Sequence, residues 1–338
     1  MSNETVKTSI PRPLAPGRTE GGRRWVDALL SARVGGLAAL VLAVLIAPLF
    51  LEGLYQYELA ILVGINATVV IALNLLVGYA GQISLGHAAF FGLGGYGAAI
   101  MATRYDWPAL AALGVGTLLV GVIAYAIARP ILRLKGHYLA MATLGLGMII
   151  YLVITTESWI TGGPDGMPVA PMEVFGYMVF DEEVWYWIIA VFLVLMFWLA
   201  TNLIDSPVGR ALRAVHGSEI AAISSGIDVT HYKVLVFVVS AVVAAFMGGL
   251  YAFYSGYITP GSSSFMHSIE FVVMVVLGGM ASVVGAVVGA AILTLLPQFL
   301  VAFAEYEWML YGLILMLVMI FMPRGLVPTL HDWLRRWV

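Results

Sequence analysis

Ten apolar runs, bounded by charges or by glycine and proline breaks, restrict what this chain can fold into. They cover approximately residues 34–51, 57–77, 87–103, 108–128, 138–158, 184–204, 234–257, 267–280, 283–303 and 308–322. A helix of roughly 20 apolar residues crosses the ~30 Å hydrocarbon core of a bilayer. Several runs are shorter, which points to tilted or broken helices. Of the 338 residues 62% are hydrophobic and only 10% charged, far from the balance of a soluble domain. The expected fold is an all-α polytopic membrane protein of about ten transmembrane helices. The absence of cysteine excludes disulfides, thiolate metal sites and thiol nucleophiles. The polar, Arg- and Pro-containing residues 1–33 precede the first run, and no clear A-x-A-like cleavage site follows it. That run is read as a retained helix and not as a signal peptide.

Charge tests the count. With the N-terminus inside, 15 of the 16 basic residues fall on the cytoplasmic side, among them Arg129, Arg133, Lys135, Arg210, Arg213, Lys233 and Arg324, and only Arg104 falls outside. Removing or adding one span would put the Arg129–Lys135 cluster opposite the Arg210 cluster, against the positive-inside rule. Ten spans with both termini cytoplasmic fit best. This divides the chain into a basic tail (1–33), a permease domain (34–322) and a C-terminal tail (323–338).

The most unusual stretch is Asn74–Ala99, NLLVGYAGQISLGHAAFFGLGGYGAA. Glycine allows tight turns and close helix approach at a cost in helix stability. A helix broken inside hydrocarbon is tolerated only where it is buried in protein or lines a wet cavity. The stretch therefore reads as part of a passage, or as a tight glycine-mediated helix contact. Asn66, Asn74, Gln82, Ser84 and His87 are the polar candidates for the passage. Each has a plainer reading as interhelical glue, and His87 as a fixed hydrogen bond, not a proton relay. Glu270 is the one carboxylate apparently inside a run, near enough to its end to snorkel to water. A second small-residue stretch, Gly278–Gly289, matches close helix packing.

Two loops are too long for connectors. The outer one, 159–183, contains TGGPDGMPVAP and is flanked by Trp159, Phe175, Tyr177, Trp185, Tyr186 and Trp187 at interfacial depth. The inner one, 205–233, reads DSPVGRALRAVHGSEIAAISSGIDVTHYK. Pro207 fits a helix start there, and Gly217 and Gly226 punctuate two helical pieces. Leu212, Val215, Ile220 and Ile223, set among charges, want a partner surface.

Within that inner loop, Glu219–Gly226 (EIAAISSG) resembles the E-A-A-x3-G signature of ABC importer permeases. Its surroundings, together with GYAGQISLGHAAFFGLGGYGAA, RLKGHYLAMATLG, TGGPDGM, LGGMASVVGAVVGA and MPRGLV, resemble the LivH/LivM branch, the branched-chain amino acid permeases. The block order favours its LivM-type member. The resemblance covers about residues 57–328, and His216 and Gly217 depart from it where the family more often has Arg-Glu-Asn-like polar residues. It implies a bacterial inner-membrane subunit that works with a second, LivH-like permease, two cytoplasmic ATPases and an external binding protein. ATP and Mg would then sit on the ATPases, and no cofactor on this chain, which lacks a G-x4-G-K-[ST] phosphate loop. No nucleic-acid partner is implied. The resemblance further implies ATPase coupling through Arg210, Arg213, Glu219, Ala222 and Gly226. The expected cargo is a branched-chain amino acid, with urea or a short amide as the alternative solute within the family. From another class, an ion-coupled secondary transporter would need intramembrane carboxylates. No enzyme motif is present.

Overall fold

A computed structural model describes residues 35–174, 176–300 and 325–337, with isolated positions between 309 and 322. The basic tail, Phe175 and most of the tenth run lie outside the described residues. Helices occupy the other nine runs: α1 Leu37–Ile46, α2 Leu54–Asn74, α3 His87–Arg104, α4 Ala109–Ile131, α5 His137–Thr156, α6 Glu182–Asp205, α9 Val229–Ser255, α10 Phe265–Gly278 and α11 Val283–Leu300. Between α6 and α9 come α7 Pro207–Gly217 and α8 Glu219–Ser224; α12 Leu326–Trp337 follows near the C-terminus. Among the described residues five helices are long and apolar enough to cross a membrane, namely α2, α4, α5, α6 and α9. The chain is an all-α polytopic membrane protein, ornamented by two minimal antiparallel ladders. β1 Met167–Pro168 pairs with β4 Tyr257–Ile258, and β2 Glu173–Val174 with β3 Tyr177–Met178.

Apolarity is distributed by position in the bundle. From Ile65 to Asn74 nearly every side chain of α2 is buried, against α6, α9 and α11, as suits a helix that is apolar all round. The α4 and α5 helices instead turn Leu118, Val122, Met141, Ile149 and Leu152 outward. Exposed apolar surface of that extent belongs against lipid or a neighbouring subunit. Glycine-rich α3 packs on α4 and α9. A Cβ on Gly94 would stand 2.0 Å from the Ala245 carbonyl oxygen, and one on Gly248 only 1.8 Å from that of Phe91. The two backbones therefore touch directly. Within lipid, where helices gain nothing by leaving water, such close packing is what holds them.

The aromatics around the loop 159–183 divide by burial. Trp159 and Tyr177 are exposed, but Trp185 and Tyr186 are buried. The indole N–H of Trp185 donates to Val179 O at 3.2 Å and the Tyr186 hydroxyl to Val44 O at 2.7 Å. These are core aromatics with their polar ends satisfied inside the protein.

Candidate functional site

Past Asn74 the α2 helix loosens into a π-helical turn, Leu75–Tyr79, and regular structure then stops until His87. Gly81 turns the chain with φ +67°, a left-handed conformation that glycine adopts without strain. The break needs donors and acceptors for its freed backbone, and hydroxyls from neighbouring helices supply them. Leu85 N–H donates to Thr143 Oγ1 of α5 at 3.0 Å, and Ala88 N–H to Ser268 Oγ of α10 at 3.1 Å. Within the break Gln82, Ser84 and Gly86 are buried, whereas Gly81 and Ile83 are exposed.

His87 opens α3 and is buried between Phe90 and Phe237. Its Nδ1 lies 2.9 Å from Ser84 Oγ and its Nε2 2.9 Å from Ser240 Oγ. Ser240 donates its own proton to Phe237 O at 2.9 Å. It therefore accepts from Nε2–H, while Nδ1 pairs with Ser84. Both ring nitrogens are used, and the imidazole bridges α3 and α9.

The other candidates separate by their partners. Asn66 Nδ2 donates to Thr294 Oγ1 at 3.0 Å, joining α2 to α11. Asn74 Nδ2 donates to Ser282 O at 2.8 Å, and its Oδ1 accepts from Ala281 N–H at 3.0 Å. With the Tyr79 hydroxyl on Ala281 O at 2.6 Å, this staples the first break to the second, between α10 and α11. Gln82 is different. It is 2% exposed, and neither its amide nitrogen nor its amide oxygen has a hydrogen-bond partner.

The hairpin of α7 and α8 lies against this region, α7 touching the Leu75–Tyr79 turn. Ser206 caps α7 by accepting from Val208 N–H at 3.1 Å, with Pro207 at its first position. Ser218 caps α8, and Gly226, φ +80°, ends the hairpin. Leu212, Val215 and Ala222 are buried, whereas Ile220 and Ile223 are 78% and 61% exposed. The four apolar residues expected to seek a partner thus divide: two anchor the hairpin and two face outward. Arg210 and Arg213 are also exposed. Glu219 sits inside the protein's own ion network, 2.9 Å from Lys135 Nζ and in contact with buried Lys233. Burial pushes its carboxyl up, the hydrogen bonds from Lys233 and Lys135 outweigh this, and it is held below its ordinary value. This network also places the Arg129–Lys135 cluster and the hairpin at one end of the bundle.

One hairpin residue reaches the break. A Cβ on Gly81 would lie 3.3 Å from His216 Nδ1, so the imidazole rests on the turn itself. At the other end, Glu270 meets His267 Nδ1 at 3.0 Å near the start of α10 and is partly exposed. It is a helix-end pair, not an ion site within the bundle. His137 starts α5 and is exposed. Sequence reasoning missed Ser240, Thr143, Ser268 and the Lys135–Glu219–Lys233 clamp. Hydroxyls scattered in apolar runs carry no signal until the helix register is known.

Comparison with known proteins identifies the family of the chain. The family model "Branched-chain amino acid transport system / permease component" matches residues 55–322. The chain is 31% identical over 323 residues to the high-affinity branched-chain amino acid transport system permease protein LivM of Escherichia coli, covering 88% of this chain and 76% of that one. It is 24% identical over 315 residues to a probable LivM of Methanocaldococcus jannaschii, covering 78% and 91% of the two chains. To the E. coli permease protein LivH it is 26% identical over 284 residues, covering 77% and 90%. No solved structure matches it.

Proposed function

The chain belongs to the branched-chain amino acid transport system permease family, and from that premise we propose how its parts carry out transport. It is a permease subunit of a branched-chain amino acid ABC importer. In the arrangement proposed, ten spans cross a bacterial inner membrane with both termini in the cytoplasm. A second, LivH-like permease completes the passage, an external binding protein delivers the solute, and two ATPases drive the cycle. The ATPases hold ATP and Mg.

One contact carries the mechanistic reading: His216 of the hairpin resting on Gly81, next to the unpartnered Gln82. The exposed face of α8, Ile220 and Ile223, docks on an ATPase, with Arg210 and Arg213 at its margin. Glu219 acts from within. By clamping α8 to Lys135 and Lys233 it makes the hairpin a stiff lever, and buried Ala222 and left-handed Gly226 set its shape. Movement of the lever is passed to Gly81 through the imidazole that rests on it. Gln82 then exchanges an unpaired amide for water or solute, whereas Ser84 and His87 hold the adjacent α3–α9 contact. Asn66 and Asn74 serve the passage as struts.

The test is reconstitution of this chain with the second permease, the ATPases and the binding protein in proteoliposomes. ATP-dependent, binding-protein-stimulated leucine uptake is expected. Uptake driven by a proton or sodium gradient alone would overturn the reading. Glu219→Lys places a third ammonium beside Lys135 and Lys233, and is expected to leave ATP hydrolysis running without uptake.

A further inference from the structure

At the end of the bundle opposite the hairpin, α2, α6 and α9 part around a cavity of about 570 Å3, roofed by Val169, Pro171, Val179 and Phe180. That volume falls in the range of small-molecule sites. Glu58, Glu182, Trp185, Tyr251 and Tyr254 line it, and no basic side chain does among the described residues. Oε2 of Glu182 is cut off from solvent, with no hydrogen-bond donor. Both carboxylates share the lining of this cavity with the Tyr254 ring. Trp185 packs edge-on against Tyr254 at 5.7 Å, and its indole N–H is spent on Val179 O. It cannot serve the carboxylate.

A carboxylate oxygen taken out of water with no donor carries a large desolvation cost unless a cation joins it. Aromatic walls favour an organic ammonium over a metal ion, because ring faces attract the cation while its alkyl part packs against them. We propose that this cavity binds the primary ammonium group of an amino acid, with Glu182 and Glu58 as counter-ions and Tyr251, Tyr254 and Trp185 as walls. Leu62 and Val169 offer surface for an aliphatic side chain. The solute's own carboxylate finds no cation in the cavity and stays toward the open mouth, in water. The chemistry of the site stands by itself; its place as a waypoint in uptake rests on the importer reading.

Saturation-transfer NMR on the detergent-solubilised permease complex tests it, with isopentylammonium chloride, leucine and sodium isocaproate as probes. Saturable transfer to the methyls of isopentylammonium and leucine is expected, and none to isocaproate, which lacks the ammonium. Glu182→Gln is expected to weaken amine binding by about tenfold, the value of one charge-assisted contact. Tyr251→Leu, which keeps both carboxylates, is expected to weaken it severalfold and serves if the first variant does not fold. Equal binding of isocaproate, undiminished amine binding in the variants, or displacement of the amine by equimolar sodium chloride would overturn the site. Leucine uptake by the same preparations separates the two readings. Amine binding without ATP-driven uptake leaves the site and removes the importer; uptake with an unchanged KM and undiminished binding in Glu182→Gln does the reverse.

Discussion

The two glycine-rich breaks look alike in composition and differ in what they enclose. In the second, Gly278 and Gly285 bring α10 and α11 into backbone contact: a Cβ on Gly278 would stand 1.9 Å from Gly285 O. Its turn carries Ala281 at φ +60°, and its peptide groups are held by Asn74 and Tyr79. The first break holds Ser84, His87 and an amide with no partner at all. One is a closed joint, the other an incomplete polar pocket. Each also touches a different element, the first His216 of the hairpin and the second Gly325 at the start of α12. Glycine content alone does not say which kind of break a sequence builds; the side chains between the glycines do.

That contrast can be broken most forcefully at the joint. Gly278→Val drives a branched side chain into backbone that cannot yield, beyond the roughly 1–3 kcal/mol of ordinary overpacking. Loss of folded protein from the membrane is expected, and immunoblotting of membrane fractions checks it. Asn74→Ala removes two of the three hydrogen bonds between the breaks, sparing that of Tyr79, and leaves the Ala281 N–H unpaired, a cost of about 1–3 kcal/mol. A lower thermal unfolding midpoint in detergent is expected; an unchanged midpoint would mean the breaks are not stapled. Gln82→Leu sharpens the contrast from the other side. The amide has no hydrogen bond to lose, so stability is expected to hold or rise slightly while uptake falls. A fall in stability equal to that of Asn74→Ala would place Gln82 among the struts.

The smallest effect concerns pH. The Glu219 carboxyl lies below its ordinary value in the folded hairpin. Its contribution is therefore full above the ordinary carboxyl range, about pH 4.3, and is lost as pH falls through the lower folded value. Hydrogen exchange of residues 207–226 is expected to quicken in that acid window, and to show no such step in Glu219→Gln. Exchange at the second break, which has no contact with Glu219, is expected to stay flat.

Much of this was legible in the chain. The apolar runs marked nine helices to within a few residues, because burial and membrane solvation both reward the same periods. Pro207 and Gly226 marked the ends of the hairpin for reasons of backbone geometry alone. Partnership was not legible. Asn74 and Gln82 are both amides in one glycine-rich stretch, yet one is doubly bonded and the other bare, since Ser282 lies 208 positions away. Glu219 read as a contact offered to another subunit because Lys135 and Lys233 are adjacent to it only in space. The α8 residues Ile220 and Ile223 looked the same as Leu212 and Val215 until the hairpin's packing sorted them.

The glycine backbone of α3 has a consequence for how the protein is made. Its faces are shaped for other helices and not for lipid, and it is absent from the helices apolar enough to cross a membrane alone. An insertion machinery that sorts segments by their affinity for hydrocarbon has little reason to release this one by itself. It is expected to wait at the translocon until α4 emerges and to enter as one half of a pair. Glycine-to-alanine changes that raise its hydropathy would then speed its entry and ruin its fit.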